Sequence, residues 1–121
     1  MNTLYYGDNL DILRRYVAND SVDLIYLDPP FNSNRSYNVL FKEAGKTTDS
    51  SQAQITAFDD TWHWGDAPEA TLREIEMTAR PHVAEMITSL VKFVGRNDVM
   101  AYLVMMTLRL IELHRVLKPT G

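Results

Sequence analysis

The residues best placed to do chemistry are Asp28-Pro29-Pro30-Phe31, which close the apolar run Val22–Leu27. That run has the length and the β-branched and aromatic composition of a strand, and the turn formers Asn19-Asp20-Ser21 precede it. Two successive prolines cannot continue a ladder, so a strand here stops at Asp28. A carboxylate is therefore expected at the carboxyl end of a buried strand, where open α/β sheets hold their ligands. Phe31 follows three residues later on a backbone that the prolines preset. The motif thus sets a hydrogen-bond acceptor beside an aromatic face.

Several elements must position this motif. Thr3–Tyr6 reads as a short strand ended by Gly7, and Leu10, Leu13, Tyr16 and Val17 recur at helical spacing over Asn9–Val17. With the strand at 22–27 these form a compact βαβ unit, parallel and right-handed by rule. Residues 32–66 show no sustained period and read as a long loop of the functional or disordered kind. Pro68 suits a first helical position, and Leu72, Ile75 and Ala79 give a helix stopped by Pro81. Val83, Met86, Ile87, Leu90, Val91 and Val94 give an amphipathic helix ending near Gly95. Asn97 or Asp98 caps a last helix running to about Leu117. It is apolar on nearly every side from Val99 to Leu108, so it is expected between a sheet and another helix.

Composition narrows the class. The 121 residues suffice for one domain, 1–121, and 45% of them are hydrophobic. Without Cys there is no disulfide framework and no thiolate metal site. No signal peptide or membrane span is read, which makes a cytoplasmic protein the expectation. The net charge of −4 does not suit a self-sufficient DNA-binding module. It is distributed as −1 over 1–48, −6 over 49–85 and +3 over 86–121, so the acidic middle reads as a solvated face.

The strand-Asp-Pro-Pro-Phe arrangement resembles the catalytic motif of DNA methyltransferases that modify exocyclic amines. The flanks extend the likeness: Leu4-Tyr5-Tyr6-Gly7-Asp8-Asn9-Leu10 before it, Asn32-Ser33-Asn34-Arg35-Ser36-Tyr37-Asn38 after it, and His114-Arg115-Val116-Leu117-Lys118-Pro119-Thr120-Gly121 at the end. All are similar to the amino-terminal part of site-specific, adenine-type methyltransferases of restriction–modification systems, type III modification subunits included, in the permuted class that begins with the catalytic motif. The resemblance is weakest between Glu43 and Ala79. It implies a partial Rossmann-like α/β fold of short parallel strands with flanking helices, S-adenosylmethionine as cofactor, and double-stranded DNA as substrate. A restriction subunit is an implied partner, and an oligomer is left open.

Under that resemblance Asp28, Pro29, Pro30 and Phe31 are the catalytic group. The Asp28 carboxylate and the Pro29 carbonyl would accept from the amine N–H groups, and Phe31 would stack the extruded base. Asp8 and Asp28 are the implied cofactor contacts, Asp8 serving equally well as a helix cap. Phe31, Asn32, Asn34, Arg35 and Tyr37 are the implied contacts to DNA. Metal ligation by His63 with Asp59 and Asp60 lacks a second His at ligand spacing, so Trp62 and Trp64 are read as anchors of the long loop and no metal is expected. His82 and His114 read as surface or cap residues, and Met100, Met105 and Met106 as core filling.

The family's glycine-rich strand-to-helix turn is absent: the five glycines are Gly7, Gly45, Gly65, Gly95 and Gly121. The last helix ends at a helix-to-strand turn with no strand after it. The chain is accordingly read as an amino-terminal fragment truncated before the remaining strands, inactive alone. The alternatives are a cytosine exocyclic-amine enzyme and a non-catalytic binding or regulatory module that keeps the fold.

Overall fold

The computed structural model describes residues 1–29 and 62–121 in full, and residues 36–40 and 54–59 by their backbone alone. Gly7 turns the chain at φ 146°, a conformation that residues with a side chain rarely adopt. Helix α1, Asn9–Tyr16, starts there, and Asp8 caps it by accepting the Leu10 N–H at 2.8 Å. Strands β1, Ser36–Leu40, and β2, Gln54–Asp59, pair antiparallel with an irregularity between Tyr37 and Asn38.

Helix α2, Asp66–Thr78, carries Asp66 and Glu69 in its first turn, where the helix dipole favours negative charge. Pro68 is its third residue, within the turn whose N–H groups have no intrahelical acceptor. Pro81 does not merely stop α2 but opens α3, Pro81–Val94, as its first residue. Gly95, at φ 87°, ends α3 and returns its N–H to the Val91 carbonyl. Asn97 caps α4, Asp98–Val116, through the Met100 N–H at 3.0 Å.

The core forms where α2, α3 and α4 meet. Leu72 and Ile75 meet Ile87 and Val91, and α4 adds Met100, Val104 and Leu108. Ile75, Met100 and Val104 are fully buried. Each such side chain contributes roughly 1.5–3 kcal/mol by leaving water, which makes this three-helix seam the main stabilising feature. Leu10 brings α1 onto the same cluster.

Arg115 of α4 secures the other end of α1. It donates to the Leu13 and Val17 carbonyls at 2.8 and 3.1 Å, to Asn19 Oδ1, and to Glu112 at 2.6 Å. The Leu13 carbonyl also accepts the Val17 N–H at 3.4 Å, so Arg115 supplies a second donor there, and a guanidinium suits the negative end of the helix dipole.

The expected α/β fold is not formed: the described chain is predominantly helical. Residues 3–6 and 22–27 make no ladder, and the parallel pairing reduces to a single bridge between Val22 and Leu117. The Val22 N–H donates to Val116 O at 3.0 Å and the Lys118 N–H to Val22 O at 2.9 Å, and the pairing stops there. Leu4, Leu24 and Tyr26 lie almost fully exposed, so the apolar runs find no covering layer. Composition gave these runs a strand's character; a sheet needs strands on either side, and among the described residues the ladder is limited to the Val22–Leu117 bridge. The same absence corrects α4, whose Val99 and Leu110 are about half exposed rather than packed on a sheet. The long loop expected over 32–66 contains β1 and β2 instead.

Candidate functional site

Asp28 lies exposed and Pro29 partly buried at the end of the segment that follows the Val22 bridge. The carboxylate is thus accessible, as a group that meets a substrate must be. It stands beyond an isolated bridge rather than at the edge of a sheet. Pro30, Phe31, Asn32, Asn34 and Arg35 lie outside the described residues. Tyr37 falls on β1, where the backbone alone is described.

Asp8 is the better-defined group. Of the two functions weighed for it from sequence, the structure shows the cap: Oδ1 accepts the Leu10 N–H at the start of α1, and the side chain is 59% exposed. Arg109 reaches it from α4, with Nη2 at 3.1 Å from Oδ1 and 3.0 Å from Oδ2. The same guanidinium donates through Nε to Asn9 Oδ1 at 2.7 Å and through Nη1 to the Met105 carbonyl at 2.9 Å. Its carbon lies 5.8 Å from the Trp62 ring centroid, within cation–π range. The sequence reading passed over Arg109. The available signal was a cation that closes the apolar stretch of α4 at a core-facing position.

A second cluster joins Trp64, Glu69 and Arg96. The Trp64 indole N–H donates to Glu69 at 2.9 Å, Arg96 Nε reaches the same oxygen at 3.2 Å, and Arg96 lies over the Trp64 ring. The hydrogen bonds from Arg96 and from Trp64 hold the Glu69 carboxyl below its usual range. Trp64 packs against the core and Trp62 meets Tyr102 edge-on, in keeping with anchoring residues. His63 pairs with Asp98 at 3.1 Å, both well exposed. Among the described residues, no group of three or more His, Asp or Glu is arranged to hold a metal ion. No described helix is long and apolar enough to cross a membrane.

The +3 charge of residues 86–121 is not a free basic surface. Arg96 pairs with Glu69, Arg109 with Asp8, Arg115 with Glu112 and Lys118 with Asp23. These cations serve the fold, which leaves little here to neutralise phosphates.

No protein-family model matches the chain, and no solved structure is significantly similar to it. Its sequence is 30% identical over 122 residues to the Type III restriction-modification enzyme StyLTI Mod subunit of Salmonella typhimurium, an alignment that takes in 99% of this chain. The chain spans 15% of that protein's length. Over nearly its whole extent, then, it is similar to one segment of a restriction-modification Mod subunit.

Proposed function

We propose that the chain carries the catalytic motif of an S-adenosylmethionine-dependent DNA methyltransferase acting on the exocyclic amine of adenine. The observation that carries this reading is the similarity to a Mod subunit along 99% of the chain, in a sequence that holds Asp28-Pro29-Pro30-Phe31. An exposed Asp28 supports it, because the carboxylate must be reachable by an extruded base.

An exocyclic amine is a poor nucleophile because its lone pair is delocalised into the ring. The Asp28 carboxylate and the Pro29 carbonyl accept hydrogen bonds from its N–H groups and favour a pyramidal nitrogen. The stabilisation grows as positive charge develops on that nitrogen, so it acts on the transition state more than on the ground state. Phe31 stacks the base, and Asn32, Asn34, Arg35 and Tyr37 stand next in sequence to contact the strand from which it came.

The residues present fit one edge of the cofactor. Asp8 is an exposed, oriented carboxylate able to accept from hydroxyl or amine groups of an adenosyl moiety. S-adenosylmethionine bound there, with Asp28 as a second contact, would supply an electrophilic methyl group. Double-stranded DNA is the substrate in this reading. Its phosphates are met mainly by other surfaces, since the cations of α4 are engaged within the fold. A restriction subunit is the natural partner of a Mod-like protein, and the cytoplasm its setting.

The test is to incubate the full protein with methyl-labelled S-adenosylmethionine and unmethylated DNA, digest to nucleosides and identify the product. N6-methyladenine is expected. N4-methylcytosine would move the target to cytosine, and unlabelled DNA would remove the reading.

A further inference from the structure

We infer that Arg109 is the positioning residue for Asp8 in cofactor binding, an assignment that rests on the reading of Asp8 just given. Arg109 is the buried charged residue among the described residues, 8% exposed, and neighbours the buried Leu108 on α4. An apolar side chain there would extend the packing of Met100, Val104 and Leu108 without desolvating a charge. A buried charge is tolerated only when its donors are engaged, and here all three guanidinium nitrogens are.

Capping alone does not explain the arrangement. Oδ1 of Asp8 already accepts the Leu10 N–H, and Ser or Asn would cap as well without an arginine. What Arg109 adds is orientation. It spans Asp8 and Asn9 together, tying the Gly7-Asp8-Asn9 turn to a rigid helix, and bonds both oxygens of a carboxylate that stays 59% exposed. A carboxylate fixed before the ligand arrives avoids the ordering loss that a freely rotating one suffers on binding. Hydrogen-bond donors such as vicinal hydroxyls or an amine are the groups it would take.

The test compares wild type, Arg109→Met, Arg109→Lys, Asp8→Ala and the Asp8→Ala/Arg109→Met double variant of the full protein in steady-state methyl transfer. Arg109→Met should raise the KM for S-adenosylmethionine about tenfold, the loss of roughly one charge-assisted hydrogen bond. The KM for DNA and kcat should stay within about threefold. Arg109→Lys keeps the charge but not the fork, so it should fall between, and it carries the same comparison if Arg109→Met fails to fold. In the Asp8→Ala background Arg109→Met should add less than about twofold, because an effect transmitted through Asp8 cannot be lost twice. Multiplying effects, or an equal fall in activity and folded fraction with both KM values unchanged, would make Arg109 a structural residue and overturn the assignment. If folded wild type took up no S-adenosylmethionine, the reading of Asp8 itself would fall, and the assignment with it.

Discussion

Arg115 and Leu13 meet across 102 residues of sequence, the guanidinium Nη2 donating to the Leu13 carbonyl at 2.8 Å. The contact joins the end of the first helix to the end of the last. It fixes where the chain leaves α1 and begins the turn toward Val22, and so where the segment bearing Asp28 starts. Asp20 and Ser21 continue the attachment by donating their N–H groups to the Arg115 and Val116 carbonyls.

Arg115→Met keeps much of the apolar stem and removes the donors. It should destabilise the protein by about 1–3 kcal/mol, the usual consequence of removing a charged donor from several partly buried acceptors at once. Urea unfolding would show the lower midpoint, and hydrogen exchange should rise first in the last turn of α1. An unchanged exchange pattern there would assign the loss elsewhere.

The helices were legible in the sequence because their signals are local. Asn97, Gly95 and the spacing of Ile87, Val91 and Val94 gave α3 and α4 within a residue or two. Pro81 was legible as a boundary but not as the start of a helix, since a proline ends one and opens another by the same loss of its N–H. The parallel sheet was misread because a strand's composition lies in its own residues while its ladder depends on a neighbour. Tyr26 has strand character and stands 90% exposed. Asp8 was legible as a cap, whereas Arg109 became visible only when folding brought positions 8 and 109 together.

Glu69 makes stability depend on pH. Its folded-state carboxyl titrates below the ordinary value of 4.5, because Arg96 and the Trp64 N–H favour the charged form. A depressed carboxylate contributes stability that is present above its unfolded value and lost as pH falls through the folded one. The gap between wild type and Glu69→Gln should therefore be open at neutral pH and close progressively as pH falls below 4.5. Thermal unfolding across that range checks it, and a gap independent of pH would show that the ionised form is not what matters.

Phe31 separates stacking from simple bulk. Phe31→Ala should weaken capture of the extruded base by roughly 1–3 kcal/mol, whereas Phe31→Tyr and Phe31→Trp keep a π-face and should be milder. Binding to DNA with a mismatched or abasic partner at the target base would measure this directly. Equal losses in all three variants would show that an aromatic face is not what the position supplies.

The most direct test of the account is methyl transfer by Asp28→Ala in the full protein. Its carboxylate is assigned an interaction made mainly in the transition state, so turnover should fall on the order of a hundredfold or more. Affinity for DNA should stay within a few-fold, and affinity for S-adenosylmethionine should fall by no more than about tenfold, the loss of one of its two carboxylate contacts. Asp28→Asn, which keeps an acceptor oxygen but loses the charge, should retain at most a trace of activity. Turnover by Asp28→Ala above about a tenth of wild type would contradict the account, since loss of one transition-state partner costs far more than that.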